Sequence, residues 1–228
     1  MSEIRSRDIT VVIPAYNAEK YIAEAVNSIK NQTMGNDARI IVVDDGSQDR
    51  TAELVSNLGV KLITGNHAGT SAARNAGIAC VNTPWIYLLD ADDRAKNHAF
   101  RTLADAMSGS AAVSGAFGLA EDFISGELTP EQAAQLCPRS GGYAGILPGC
   151  SLLKTELFEK VGLFDESLPS GEVVAWMLAL RDSGIPVTSV NTIVLERRLH
   201  MTNTGRLRKA DEAKGYAALL RKRLQNRG

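Results

Sequence analysis

The sequence predicts a single α/β domain in which helices flank a mostly parallel β-sheet. Between residues 9 and 110, short runs rich in β-branched residues alternate with segments of helical periodicity, a pattern typical of parallel strands joined by helical crossovers. Three of these runs end directly in polar or acidic residues, as expected where parallel strands reach a ligand-binding edge. The 228 residues contain no repeat or linker and suffice for one well-filled core.

The first half contains four predicted strands, which are ITVVIP from Ile9, RIIVVDD from Arg39, VKLIT from Val60 and WIYLLD from Trp85. Between them, apolar residues recur with helical spacing over 18–32, 50–58 and 70–81. Asp49 is the expected N-cap of the second of these helices. The polar residues that follow the strands should gather on one edge of the sheet.

The second half is less regular. Its predicted strands are AAVSGAFG from Ala111, PVTSV from Pro186 and TIVLERRL from Thr192. Residues 121–145 are rich in Gly, Ser and Pro and predict a mobile loop with a short helical piece at 130–136. Helices are predicted for TELFEKVG, for the segment from Gly171 to Gly184, and for 211–226.

Composition and charge are those of an ordinary globular protein, with 44% apolar residues, 22% charged residues and a net charge of -1. Nothing here indicates a nucleic-acid partner. The charge is uneven, because residues 206–228 carry eight Lys/Arg and two Asp/Glu, so this tail is +6 and the remainder is -7. Such a basic helix is usually a solvated face, and peripheral contact with a membrane is the alternative.

The cysteines and the apolar runs predict a cytoplasmic location. Cys80, Cys137 and Cys150 are odd in number and widely spaced, which favours free thiols over disulfides or a zinc site. No leading segment has the layout of a signal peptide. No apolar run has the length that a bilayer requires.

The stretch LLDADDR places Asp90, Asp92 and Asp93 at the end of a predicted strand. Two carboxylates one residue apart can turn toward the same point, where their repulsion favours a bound cation. Mg²⁺ and Mn²⁺ take oxygen ligands from one or two carboxylates together with substrate phosphates. An isolated motif of this kind fits a solvated acidic turn equally well.

Two further motifs strengthen the interpretation as a ligand site. DDGSQDRT ends another strand with the paired acids Asp44 and Asp45, and an ordinary turn does not explain that pair. AGTSAARNAGI combines small residues, which permit close backbone approach, with Arg74 early in a predicted helix. An arginine there can bind a phosphate or hold an acidic neighbour, although taken alone it fits a surface arginine equally well.

In this order, the motifs resemble family 2 of the nucleotide-sugar glycosyltransferases, which have the Rossmann-like A-type fold. The segments that carry the resemblance are TVVIPAYNAEKYIAEAVNSIKNQ, IIVVDDGSQDRT, GTSAARNAGI, WIYLLDADD, LLKTELFEKVGLFDESLPSGE and RRLHMTNTG. They extend from Thr10 to Gly205, nearly the whole chain. The resemblance divides the domain, residues 1–228, into a nucleotide-sugar-binding half at about 9–110, an acceptor-side half at about 111–205 and the basic C-terminal helix at 206–228.

The resemblance also implies roles for individual residues. Those expected to bind the nucleotide are Pro14, Ala15, Tyr16, Asn17, Glu19, Asp45, Arg74 and Asp90. Asp92 is expected to ligate a Mn²⁺ or Mg²⁺ ion that bridges the diphosphate, and His200 to approach it, with Arg197 or Arg198 adding positive charge. On its own, His200 would more often be a satisfied surface residue. Asp93 is expected to face outward.

The implied activity is inverting transfer of a sugar from a nucleoside-diphosphate sugar, a UDP-sugar by preference, to an acceptor hydroxyl. A cation stabilises the leaving diphosphate, and a carboxylate deprotonates the acceptor. Here the family pattern fails, because Val173 stands where an aspartate base is expected and Ala175 where a further acid is common. Glu172 is the candidate catalytic base, although an acid in a first helical turn can be merely structural.

Two alternatives to Glu172 remain open. Asp165 or Glu166 can serve as the base if their loop folds inward. Otherwise the chain is a degenerate, catalytically weak relative that binds a nucleotide sugar or a partner protein. A nucleotidyltransferase is disfavoured, since PAYNAEK lacks a Gly-rich, basic phosphate loop.

The acceptor is expected to be a peptide, a small metabolite or a glycan, and loop 121–145 is expected to shape its site. A homodimer is also compatible with the sequence.

Overall fold

The computed structural model describes residues 3–168 and 170–203. The strands are β1 (Ile9–Ala15), β2 (Arg39–Asp44), β3 (Lys61–Thr64), β4 (Trp85–Leu88), β5 (Arg94–Ala95), β6 (Gly115–Ile124), β7 (Ser151–Lys154) and β8 (Thr188–Leu199). The helices are α1 (Ile22–Lys30), α2 (Thr51–Asn57), α3 (Thr70–Ile78), α4 (Ala99–Met107), α5 (Pro130–Ala133), α6 (Leu157–Lys160) and α7 (Glu172–Asp182). The predicted basic C-terminal helix lies outside the described residues.

All eight strands belong to one sheet, in the order β3-β2-β1-β4-β7-β6-β8-β5. Strands β3, β2, β1 and β4 pair in parallel, as do β6 and β8. Strand β7 runs antiparallel to both β4 and β6, and the short β5 runs antiparallel to β8. The predicted α/β fold with a mostly parallel sheet is therefore confirmed.

The core lies on both faces of this sheet. Strand β1 is buried along its whole length, and its side chains alternate between the faces, so Val11 and Ile13 join the cluster under α1 and α4. Val12 points the other way, into a second apolar cluster with Phe158, Trp176 and Leu180. Residues of α6 and α7 therefore cover one face, and α1 and α4 cover the other.

Helix α3 packs unusually close to β1. A Cβ atom added to Gly77 would lie 2.3 Å from Cγ1 of Val12, a separation that side-chain packing does not allow. The small residues of GTSAARNAGI therefore permit this approach, and they place Arg74 of α3 directly at the end of the parallel strands.

The second half differs from the prediction in three places. PVTSV and TIVLERRL form one strand, β8, and not two. The predicted loop at 121–145 begins inside β6, which continues to Ile124, and its predicted helical piece is the shorter α5. Strand β7, between β4 and β6, was not predicted. The acids of β6 are compatible with a strand because they have partners: Glu121 pairs with Lys96 at 2.6 Å, and Asp122 accepts a hydrogen bond from Tyr143.

Within the two described ranges, no helix combines the length and the apolar character needed to cross a membrane.

Candidate functional site

Polar residues from the first half of the chain meet at the carboxyl edge of the sheet. Here β1, β2 and β4 run in parallel and all end on the same side. Pro14 and Ala15 are buried inside β1, and Tyr16 is the first residue beyond it, 45% exposed. The polar residues that follow these three strands share one edge, as predicted, because the strands are parallel and adjacent.

Asp45 is fixed by the loop that follows β3. Its side chain is almost fully buried, and its two oxygens accept hydrogen bonds from the backbone N–H groups of Ala68 (2.8 Å) and Gly69 (2.7 Å). His67 of the same loop, a residue that the sequence did not single out, places its ring 4.2 Å from that of Tyr16. Asp45 and Tyr16 thus lie on either side of one small area of the edge.

Asn17 and Glu19 connect the loop after β1 to the loop after β2. The N–H of Asn17 donates to Ser47 Oγ (2.9 Å), its side-chain oxygen accepts from the N–H of Gln48 (2.8 Å), and Glu19 Oε2 accepts from the N–H of Arg50 (3.1 Å). These two predicted nucleotide-binding residues therefore hold the two loops together.

Helix α2 begins one residue later than predicted, so the N-cap residue is Arg50 and not Asp49. The Asp49 carboxylate nevertheless accepts hydrogen bonds from the N–H groups of Thr51 (3.0 Å) and Glu19 (3.1 Å). Burial alone would raise the pKa of Asp49, but a hydrogen bond from the Thr51 hydroxyl (2.5 Å), together with these two, outweighs it and lowers the pKa.

Arg74 joins the end of β4 to the start of α7. Its side chain is buried, with the residue 4% exposed, and its two terminal nitrogens pair with Asp90 Oδ1 (2.7 Å) and Glu172 Oε1 (2.6 Å). Burial acts to lower the pKa of this guanidinium, yet the two carboxylates raise it above its ordinary value. Arg74 is therefore a permanent cation that holds two acids from distant parts of the chain side by side.

Asp92 and His200 form the second contact between distant parts of the chain. His200 Nε2 lies 2.9 Å from Asp92 Oδ2, and the amide nitrogen of Asn203 lies 3.3 Å from the same oxygen. The other ring nitrogen of His200 lies 2.9 Å from the hydroxyl of Thr202, and the imidazole ring lies 4.8 Å from that of Tyr21. A carboxylate oxygen and an imidazole nitrogen thus converge on one point.

This donor set fits a divalent cation that takes its remaining ligands from a substrate. One carboxylate and one imidazole are acceptable to Mn²⁺ and Mg²⁺, and the described residues contain no group of three or more His, Cys, Asp or Glu that could enclose a metal on their own. A cation held by Asp92 and His200 would therefore be completed by phosphate oxygens and water.

The sequence suggested that Asp93 faces outward, and the structure shows that it faces inward. It is 5% exposed, and its Oδ1 accepts a hydrogen bond from the backbone N–H of Arg198 (2.9 Å). Burial raises its pKa well above the ordinary value, and the nearby charges of Asp92 and Asp90 raise it further. The turn after β4 is thus anchored inward by its third acid.

Arg198 supports the same turn. Its Nε donates to the backbone oxygen of Asp92 (2.8 Å), while a terminal nitrogen pairs with Glu24 (2.6 Å). Arg197 points elsewhere, 3.8 Å from Asp122. Adjacent residues of a strand face opposite sides, so only one of the two arginines can face Asp92. The register of β8 makes Arg198 that residue.

The start of α7 contributes one acid to the site. Gly171 adopts a left-handed conformation (φ 81°) just before the helix, and Glu172 turns toward Arg74. Val173 packs against the second apolar cluster together with Trp176. Trp176 is itself a core residue, stacked on Phe158 at 4.7 Å.

The alternative acids, Asp165 and Glu166, are engaged elsewhere. Asp165 Oδ1 accepts from the N–H (3.0 Å) and the hydroxyl (2.5 Å) of Ser167, and Glu166 Oε1 accepts from the side-chain amide of Asn75 (2.8 Å). Of the three candidate bases, Glu172 is therefore the one that the structure brings next to Asp90.

A comparison with models of protein families matches residues 10–162 to the family described as glycosyl transferase family 2. The chain belongs to glycosyl transferase family 2. Among curated relatives, the glycosyltransferase GlyG of Streptococcus pneumoniae is 32% identical to the chain over 187 residues. This alignment covers 71% of the chain and 60% of GlyG, so the chain spans less than two thirds of the length of that relative.

Solved structures share the fold of this family 2 chain. Residues 1–349 of S. aureus TarS, in complex with UDP, have a TM-score of 0.66 and 20% identity, and the similarity covers 84% of the chain and 60% of that TarS fragment. The mannosyltransferase PcManGT of Pyrobaculum calidifontis, in complex with GDP-Man and Mn²⁺, has a TM-score of 0.74 and 16% identity, covering 97% of the chain and 65% of PcManGT. The predicted A-type glycosyltransferase fold is thereby confirmed.

Proposed function

We propose that the chain is an inverting glycosyltransferase that moves a sugar from a nucleoside-diphosphate sugar to an acceptor hydroxyl with the help of a divalent cation. The observation that carries the proposal is the meeting of Asp92 with His200 beside the Asp90–Arg74–Glu172 chain of ion pairs. These contacts supply candidate groups for a cation, a diphosphate and an acceptor within one edge of the sheet.

Asp92 and His200 are the residues that would hold Mn²⁺ or Mg²⁺. When bound, the cation neutralises the negative charge that develops on the departing diphosphate. Arg198 maintains the geometry, because it binds the backbone oxygen of Asp92 at 2.8 Å and prevents the turn from relaxing away from His200. The sugar donor would lie between this turn and Arg74.

We assign the base to Glu172. An inverting displacement requires a carboxylate that takes the proton of the acceptor hydroxyl. Arg74 engages Oε1 of Glu172 and so fixes the direction of the side chain, while Oε2 has no hydrogen bond to any of the described residues. Oε2 is therefore the oxygen that we expect to receive the proton.

A UDP-sugar is the proposed donor. Asp45 offers carboxylate oxygens to the N–H of a uracil, and Tyr16 offers an exposed ring on which a base can stack. The fold neighbours include one complex with UDP and one with GDP-Man and Mn²⁺, which supports a nucleoside diphosphate in general. The proposed acceptor is a peptide, a small metabolite or a glycan, and its site is proposed to be shaped by the loop at 121–145.

A binding-only role is the second candidate, and Val173 favours it. The side chain at that position packs into the apolar cluster, so the position that would normally supply the aspartate base supplies none. This reading predicts UDP binding without turnover of any nucleotide sugar.

Calorimetry of UDP binding with Mn²⁺, with Mg²⁺ and with chelator tests the donor site. We expect metal to tighten UDP binding and Asp92→Ala to abolish the difference between the metal and chelator titrations. Asp105→Ala, which removes an exposed carboxylate on α4, is the matched control and should behave as the wild type. Equal UDP affinity of the wild type with and without metal would contradict the metal assignment.

A screen of nucleotide sugars, read by thermal stabilisation and by slow hydrolysis, then identifies the donor and separates transfer from mere binding.

A further inference from the structure

The side chain of His67 covers the ring of Tyr16 at the carboxyl edge. The two ring centroids are 4.2 Å apart, and the ring planes are inclined by 31°. His67 is otherwise open to solvent, with 63% of its side chain exposed. The contact with Tyr16 is thus made at the surface, at the place where the proposed function puts the nucleotide base.

The backbone holds His67 in this position. The residue adopts a left-handed conformation (φ 57°), which is uncommon for a residue other than glycine. Both following residues, Ala68 and Gly69, donate their N–H groups to Asp45. On the other side the chain lies so close to the turn after β2 that a Cβ atom on Gly46 would be 3.2 Å from the nitrogen of His67. These contacts hold the backbone of the loop, so rotation of the His67 side chain is the smallest movement that would uncover the ring of Tyr16.

The imidazole lies against the two groups that would contact a uracil, the ring of Tyr16 and the carboxylate of Asp45. It is a flat ring against Tyr16, and its Nδ1 lies 3.8 Å from Oδ2 of Asp45. A base that stacks on Tyr16 and donates an N–H to Asp45 needs the same ring face and the same carboxylate. Two rings cannot occupy that face together.

We propose that His67 occupies the base subsite of the free protein and must rotate away before a nucleotide binds. The inference rests on the proposed function, because it takes the base to lie between Tyr16 and Asp45. His67 is then a determinant of donor affinity. The fraction of molecules with an open subsite scales the apparent affinity for the nucleotide, so the ring weakens binding of the donor and of the nucleotide product alike.

Calorimetric titration of His67→Asn with UDP and Mg²⁺ tests the proposal. Asparagine tolerates the left-handed backbone, so the substitution removes the ring without disturbing the loop. Aromatic contacts of this kind contribute about 0.5–1.5 kcal/mol, so we expect UDP to bind roughly two- to tenfold more tightly. His98→Asn, at the N-cap of α4, is the matched control and should bind UDP as the wild type does.

Proton NMR of the histidine rings gives a second and independent reading. The chain has three histidines, so the signal of His67 is identified by its loss in His67→Asn. In the free protein the ring current of Tyr16 should shift this signal upfield. Saturation with UDP and diamagnetic Mg²⁺ should move it to the position of a solvated histidine as the ring leaves the subsite.

The outcomes separate the inference from the proposed function. If His67→Asn binds UDP no more tightly than the wild type, or if the His67 signal is unmoved at saturation, the inference is overturned and the donor site stands. If neither protein binds UDP with Mg²⁺, both fail. Binding by the variant alone would support the inference in its strongest form.

Discussion

The carboxyl ends of β1, β2 and β4 and the start of α7 form the two sides of the candidate site, and they are built differently. On the strand side, Asn17, Asp45 and Asp92 each make hydrogen bonds to at least two partners. On the α7 side a single carboxylate, Glu172, reaches the site, and the next residue, Val173, enters the apolar core.

The difference shows that the two sides depend on different interactions. The polar residues of the strand side follow directly on the ends of adjacent parallel strands, which brings them together with few degrees of freedom. The α7 side is positioned by packing in the second apolar cluster, and the ion pair Arg74–Glu172 connects it through α3 to Asp90 after β4. Substitutions should therefore have separate effects on donor binding and on transfer.

Glu172→Gln should give the largest effect, a loss of about 10²–10⁴-fold in turnover with UDP binding preserved, because the amide cannot accept the proton yet still accepts a hydrogen bond from Arg74. The turnover is measured as hydrolysis of the UDP-sugar, in which water takes the place of the acceptor. Glu166→Gln is the matched control, since that acid likewise accepts one side-chain hydrogen bond, from the amide of Asn75 (2.8 Å) where Glu172 accepts from the guanidinium of Arg74. A loss in Glu166→Gln with full activity in Glu172→Gln would transfer the base to the 165–166 segment.

Arg74→Ala should uncouple the two sides and destabilise the fold. It leaves Asp90 and Glu172 close together without their cation, and loss of one partner of a buried ion pair costs about 3 kcal/mol. Urea denaturation measures the free energy of unfolding of each variant. Arg74→Lys keeps the charge but cannot bind both carboxylates with the geometry of a guanidinium. Its free energy of unfolding should therefore lie between those of Arg74→Ala and the wild type. Wild-type stability of Arg74→Ala would show that the link is unimportant.

Val173→Asp asks whether the α7 side lacks only the acid that the family usually carries. Because Val173 packs against the apolar cluster, we expect the charged side chain to cost about 2 kcal/mol of unfolding free energy without a gain in turnover. Val173→Ala controls for the lost packing and should lower the unfolding free energy less than Val173→Asp does. Increased turnover in Val173→Asp would contradict the assignment of the base to Glu172.

Asp93→Asn should have an effect on stability that depends on pH. The pKa of Asp93 is raised by burial and by its acidic neighbours, so the folded protein holds this proton more tightly than the unfolded chain. Ionisation of Asp93 therefore costs stability as the pH rises above its unfolded pKa of about 3.9. In metal-free buffer, Asp93→Asn should gain stability relative to the wild type between pH 5 and pH 8. A difference in unfolding free energy between Asp93→Asn and the wild type that stays constant with pH would contradict the raised pKa of Asp93.

Much of the fold was predictable from local sequence. Parallel strands such as β1 are continuous apolar runs, because helices cover both of their faces, and such runs are visible without knowledge of the partners. The second half was harder to predict. Strand β8 alternates buried and exposed residues irregularly, and β7 has four residues, so neither has a strong pattern of its own.

The candidate site follows the same division. The acids of the turns after β2 and β4 were identifiable as strand-end clusters, and Arg74 as a basic residue beside them. His67 was missed because a lone histidine in a loop carries no periodic signal, and its meaning comes from a ring 51 positions earlier in the chain, Tyr16. The inward direction of Asp93 likewise depends on the N–H of Arg198 in β8.

Residue types and spacings within short segments were enough to identify the family, the α/β alternation and the gathering of acids at one edge. The tertiary structure alone decided which distant groups meet: Asp92 with His200, Arg74 with Glu172, and Val173 with the apolar cluster. The physical reason is that such contacts depend on strand register and on helix packing across the sheet, and both are properties of the whole folded chain.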